Sequence, residues 1–131
     1  NRDAYWVRAL GPEGPPRVSI EAIPAGCSMI TARDLNDREA SRIRFHLPRF
    51  QAAPVPAPDS GDWFGWEALL ASRAHEPDAG PEGAMTIVTQ HGFGTTSSSL
   101  IALASTARPR KPIWRFGGGA PGAIRYDDVA V

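Results

Sequence analysis

Residues 85–103 set the tightest constraint on what this chain can fold into. They run Met-Thr-Ile-Val-Thr-Gln, then His91-Gly92-Phe93-Gly94-Thr95, then Thr96-Ser97-Ser98-Ser99-Leu100-Ile101-Ala102-Leu103. Two stretches rich in β-branched and apolar residues flank a turn bracketed by glycines. This pattern predicts strands over 85–90 and 96–103 joined by a hairpin loop over 91–95. On such a strand Ser98 faces one way and Ser97 and Ser99 the other.

The remaining segments follow the same logic. Residues 4–8 and 17–23 are strand candidates. In the second, Val18, Ile20 and Ala22 share one face against Ser19, Glu21 and Ile23 on the other. Gly11-Pro12-Glu13-Gly14-Pro15-Pro16 is the connecting turn. Pro24-Ala25-Gly26 breaks the run, and 27–32 predicts a third strand. Ile43, Leu47 and Phe50 fall at i, i+4 and i+7, one apolar stripe of a helix that Asp37 can cap. Pro48 predicts a kink or an end near Leu47, because proline costs about 3 kcal/mol inside a helix. Ala52-Ala53-Pro54-Val55-Pro56-Ala57-Pro58 reads as an extended linker. A second helix follows over 62–73, with Trp63, Trp66 and Leu70 on one face and Leu69 beside them. Residues 75–83 are a loop. Residues 112–116 form a last strand, ended by Gly117-Gly118-Gly119. Strands thus cluster on either side of two helices, an α+β order with mostly antiparallel pairing. Trp6, Val7, Ile101 and Trp114 make both faces of such a sheet apolar enough to need cover.

Composition narrows the function. Lys plus Arg and Asp plus Glu are 14 each, so net charge is zero and no basic excess points to nucleic acid. Glycine and proline number 13 each, which favours short elements and stiff turns. One cysteine, Cys27, permits neither an internal disulfide nor a cysteine-based zinc site. No apolar run reaches the roughly 18 residues of a membrane-spanning helix.

Each chemically interesting side chain has a structural alternative. Cys27 is a reactive thiol or a small buried residue; with no cation nearby in sequence, burial is favoured. Ser97–Ser99 lack a nucleophile-elbow pattern, so cross-strand hydrogen bonding is their default. His46, His75 and His91 fit no zinc spacing. His46 sits half-buried beside Leu47, His75 is solvated at a loop edge, and His91 between turn residues is the best placed to meet a ligand. Trp63 and Trp66 form an aromatic platform or, at helical spacing, core. Arg42, Arg44 and Arg49 hold phosphate or propionate groups, or form a solvated face. Asp34 and Asp37 are a carboxylate pair, or Asp37 is a cap. Gly117–Gly119 lack the strand–loop–helix setting of a dinucleotide site.

Phe93-Gly94-Thr95-Thr96-Ser97-Ser98-Ser99 resembles the Tyr-Gly-Thr-Arg-Ser-Ser-Thr hairpin of the NRDE/TANGO2 (transport and Golgi organisation 2) family. Other segments fall in the family's order. Asp3-Ala4-Tyr5-Trp6-Val7-Arg8 resembles its aromatic strand before an arginine. Ser28-Met29-Ile30-Thr31-Ala32-Arg33-Asp34-Leu35-Asn36-Asp37 resembles its Leu-Ser-Asn…Leu-Asp segment. Arg42-Ile43 with His46-Leu47-Pro48-Arg49-Phe50 resembles the helix that follows, and 112–116 the closing strand. The Asn1-Arg2-Asp3 start, with Ala4 where the family motif has Glu, is a coincidence.

The resemblance implies part of an αββα sandwich like that of the N-terminal-nucleophile hydrolases. Residues 1–131 would be a single partial domain, the C-terminal half, whose partner is the missing N-terminal half of the same protein. A start at Asn1 running almost at once into an aromatic strand agrees with that expectation. The resemblance further implies a cytoplasmic protein linked to haem handling or membrane trafficking, with haem or another small molecule as ligand and His91, Thr96, Ser97 and Ser99 at the ligand site. The family's candidate nucleophile is a cysteine after the initiator Met, which this chain lacks. Ala32 replaces the Asn that can donate to an oxyanion, and Thr96 replaces the hairpin Arg. These departures point away from catalysis. The alternatives are a cysteine-nucleophile amide hydrolase whose nucleophile lies in the missing half, and a plain β-rich packing or binding domain.

Overall fold

The computed structural model describes residues 3–10 and 17–131. The turn expected over 11–16 and the start at Asn1 and Arg2 lie outside the described residues. The fold is α+β: two helices and five strands in two antiparallel sheets among the described residues. Strands β1 (Tyr5–Leu10) and β2 (Arg17–Ala22) form a hairpin with Tyr5 opposite Ala22, Val7 opposite Ile20 and Ala9 opposite Val18. Helices α1 (Ser41–Ala52) and α2 (Phe64–Leu70) follow. Strands β3 (Ser97–Ala102), β4 (Ile113–Gly118) and β5 (Asp127–Asp128) make the second sheet in that spatial order.

The core lies between α2 and the inner face of β3–β4. Trp63, Leu100 and Tyr126 form a buried cluster, with Leu70, Ala102 and Ile113 packed against it. The alternation expected of 97–102 places Leu100 inward and Ile101 outward. Gly117 is a close approach rather than a turn: a Cβ there would stand 2.2 Å from Ile124 Cδ1. Strand β4 therefore continues through Gly117 and Gly118 instead of ending at Phe116, because the glycine lets residues 124–126 fold over its inner face.

Helix α1 buries Ile43, His46, Leu47 and Phe50, the stripe read from the sequence. It starts later and ends later than expected. Asp37 does not cap it: the N-cap is Ala40, with no side-chain hydrogen bond. The Asp37 carboxylate instead accepts from the Glu39 N–H (2.9 Å), and its carbonyl accepts from the Ala40 N–H (3.1 Å), making a turn ahead of the helix. Pro48 is inside α1 but exposed. The missing hydrogen bond falls on the side where water can serve the free Arg44 carbonyl, and burial of Leu47 and Phe50 on either side of it holds the turn.

Two expected strands are loops. In 27–32 the backbone finds a local partner in place of a strand. The Met29 N–H donates to Asn36 Oδ1 (2.8 Å) and the Asn36 N–H donates back to the Met29 carbonyl (2.9 Å). Asn36 takes φ +57° to close that loop. In 85–90 the pairing is confined to one bridge, Val88 with Gly94, where the Ile87 carbonyl accepts from the Thr95 N–H (2.9 Å) and the Thr89 N–H donates to the Phe93 carbonyl (3.2 Å), which closes the expected turn over 91–95. Here the Thr86 N–H donates to the Ser72 carbonyl (3.0 Å), its hydroxyl donates to the Leu70 carbonyl (2.7 Å), and the Ile87 N–H is taken by Thr95 Oγ1 (2.9 Å). Groups that would form a ladder are spent on the end of α2 and on a threonine side chain.

His46 is fully buried rather than half-buried, and neither ring nitrogen has a hydrogen-bond partner. Burial holds its pKa below the usual 6.5; the backbone at Gly83 opposes this in part, and the nearby Arg49 and Arg42 add smaller pushes in the same direction as burial. Above pH 6.5 the ring is neutral folded or unfolded and contributes no pH dependence. Below it, the unfolded chain binds a proton that the folded chain resists. Stability should therefore fall as pH drops below 6.5, by at most about 1.4 kcal/mol per pH unit from this group. Urea midpoints at pH 7.5 and pH 5 measure it. His46→Leu should flatten the slope; an equally steep acid loss in that variant would refute the assignment.

Candidate functional site

A cleft of about 280 Å³ opens where α1, α2, β3 and the loop before α1 meet. Phe50 of α1 and Trp66 of α2 meet edge to face, with ring centroids 5.5 Å apart. With Trp63, Leu70 and Leu100 they form its walls. Cys27, Ser28, Met29 and Ile30 supply one rim, Ser99 and Ile101 the other. Trp63 is thus both core and platform, since it belongs to the buried cluster and lines the cleft, and Trp66 lines the cleft beside it. The indole N–H groups of both are buried without a hydrogen-bond partner.

The serines sit as alternation requires. Ser98 points inward, its hydroxyl 2.5 Å from Tyr126 Oη. Ser99 is on the outer side and accepts from the Trp114 indole N–H at 3.3 Å. Ser99 is engaged in a cross-strand hydrogen bond and Ser98 in one to the segment that folds over the sheet, and no histidine is bonded to Ser97, Ser98 or Ser99 among the described residues. Of the residues singled out as a ligand site, Ser99 alone lines this cleft. Thr96, just before β3, and Ser97, its first residue, are exposed, and His91 is exposed in the turn, flanked by exposed Gln90, Gly92 and Phe93. Ala32 is exposed too.

The other polar candidates serve structure. Arg44 forks onto the Glu76 carboxylate and also donates to the Arg38 carbonyl (2.9 Å). Arg42 donates to the Glu82 carbonyl, and Arg49 lies over the Phe45 ring at 4.9 Å. These arginines are partnered rather than open to phosphate or propionate. Asp34 pairs with Arg8 at 2.5 Å, tying the β1–β2 hairpin to the loop before α1. His75 is half-buried, not solvated, with Nδ1 2.8 Å from the Glu76 carbonyl. Arg115, missed in the sequence, joins the sheet to α2 through Glu67 (2.6 Å) and reaches Asp128 (3.7 Å) and the Tyr126 ring. Its inward register on β4 was the available signal.

Cys27 is half-buried at the cleft rim, and burial raises its thiol pKa above the ordinary value. Alkylation at pH 7 is expected to be slow in the folded chain and to accelerate severalfold in urea. Mass spectrometry of iodoacetamide-treated samples measures this. Labelling at equal rates with and without urea would show a reactive rather than a structural cysteine.

No family model, curated protein or solved structure matches this chain. No helix among the described residues is long and apolar enough to cross a membrane.

Proposed function

We propose that this chain is the C-terminal half of an NRDE/TANGO2-like αββα sandwich that binds a small apolar ligand and does not turn it over. The observation that carries the reading is the aromatic cleft: Phe50, Trp63 and Trp66 wall it, and Ser99 of the family-like hairpin stands at its rim. Its volume is just below the roughly 300–1,000 Å³ of common ligand pockets, which favours a flat ligand of one or two rings. Thr96 offers no fixed charge, Ala32 no oxyanion donor, and the serines no base, so acyl transfer lacks the groups it requires. Haem and a cytoplasmic role in haem handling or trafficking are the ligand and setting that the resemblance supplies; the whole tetrapyrrole is larger than this cleft, so haem would enter it by one edge only.

A second observation supports the missing half as partner. The hairpin face made by Tyr5, Val7, Val18 and Ile20 is apolar and 58–67 % exposed. The outer face of β3–β4 exposes Ile101, Trp114 and Phe116. In a sandwich such faces are the inner ones. The test uses the full-length protein: a panel of amides and acyl-homoserine-type substrates, and separately a haem titration followed at the Soret band. No turnover with saturable binding is the expected result. Turnover lost on mutating an N-terminal cysteine would replace the binding reading with the amide hydrolase.

A further inference from the structure

The loop between β3 and β4 carries Arg108-Pro109-Arg110-Lys111-Pro112, in a chain whose net charge is zero. Three cations within four residues repel one another, and one has a counter-ion: Arg110 pairs with Asp59 at 2.8 Å. Arg108 and Lys111 are exposed and form no ion pair among the described residues. The same residues line a cavity of about 230 Å³ together with Ser105, Leu103 and Ile113. Ser105 Oγ accepts from the Ala107 N–H at 3.2 Å, so its own hydrogen remains free to donate. Pro109 and Pro112 fix φ on either side of Arg110-Lys111, which limits the freedom that a bound anion would have to freeze.

We infer that this loop is a binding site for a small organic phosphate. The phosphate would sit between the Arg108 guanidinium and the Lys111 ammonium and accept from the Ser105 hydroxyl, with its carbon portion against Leu103 and Ile113. A guanidinium fork matches two phosphate oxygens, and the ammonium adds a point charge. Asp59 and Arg110 line the same cavity as a neutral pair, so Arg108 and Lys111 leave an excess of two positive charges for a dianion. The site is separate from the aromatic cleft and does not depend on what that cleft binds.

The experiment is an amide-resolved NMR titration of the whole chain, at physiological salt, with phenyl phosphate, inorganic phosphate and phenol. Phenyl phosphate should give saturable shifts confined to 103–113, phenol none, and inorganic phosphate weaker binding. Arg108→Gln with Lys111→Gln should weaken phenyl phosphate at least about tenfold, while Arg73→Gln, an exposed control, leaves it unchanged. An unshifted spectrum outside the loop verifies the fold of both variants. Absence of saturable shifts, or equal loss in Arg73→Gln, would overturn the site. Equal affinity for the two phosphates would overturn its assignment to an organic ligand.

Discussion

Trp63→Ala is expected to cost about 3–5 kcal/mol, the largest single-residue loss in the chain. Trp63 is 4 % exposed and packs with Leu100 and Tyr126 at the centre of the α2–sheet interface. Its removal leaves a void between α2 and the inner face of β3–β4, and α2 has only seven residues with which to close over it. Domains of this size are stable by about 5–15 kcal/mol, so the variant should lose a large share of its stability and unfold at a much lower urea concentration. Phe64→Ala on the same helix is the contrast: Phe64 is 79 % exposed, and its loss should fall within about 0.5 kcal/mol. Urea unfolding of both variants measures the difference. Losses of similar size would mean that α2 does not pack as described.

The second large effect concerns the uncovered faces. The register of β1–β2 puts Tyr5, Val7, Ala9, Val18, Ile20 and Ala22 on one side of a two-stranded hairpin. Such a hairpin is marginal alone and gains stability by burying an apolar face. Expressed by itself, the chain should bind ANS strongly and self-associate. Val7→Lys with Ile20→Glu, an opposite-charge pair directly across the hairpin, should reduce dye fluorescence severalfold and shift the population toward monomer. A monodisperse monomer with a cooperative melt and no dye binding would contradict the sandwich assignment.

The sequence made some elements plain and hid others for identifiable reasons. The stripe Ile43-Leu47-Phe50, the alternation of Ser98 and Leu100 against Ser99 and Ile101, and the tryptophan face of α2 all depend on near-neighbour periodicity, and the structure keeps them. What failed depends on distant partners. Residues 27–32 are as strand-like as 17–22, but Asn36 satisfies Met29 locally. Residues 85–90 are diverted to the end of α2 through Thr86. Pro48 carries an intrinsic cost in a helix, and burial of Leu47 and Phe50 outweighs it. The cleft was half legible. Trp63, Trp66, Phe50 and Cys27 each drew attention, but nothing in the spacing says that α1, α2 and β3 converge around them. His91 attracted notice through its glycines, and those glycines belong to an exposed turn.

The most direct measurement of the binding claim is a titration of the Val7→Lys/Ile20→Glu chain, whose hairpin face no longer drives self-association, with 2-naphthol, followed through the indole N–H resonances of its four tryptophans. Trp63 and Trp66 line the cleft, whereas Trp6 lies on the hairpin and Trp114 on the outer face of the second sheet. The account predicts saturable shifts of the Trp63 and Trp66 signals with Trp6 unmoved. Shifts confined to Trp114 and Trp6, or no saturable shift at all, would contradict it.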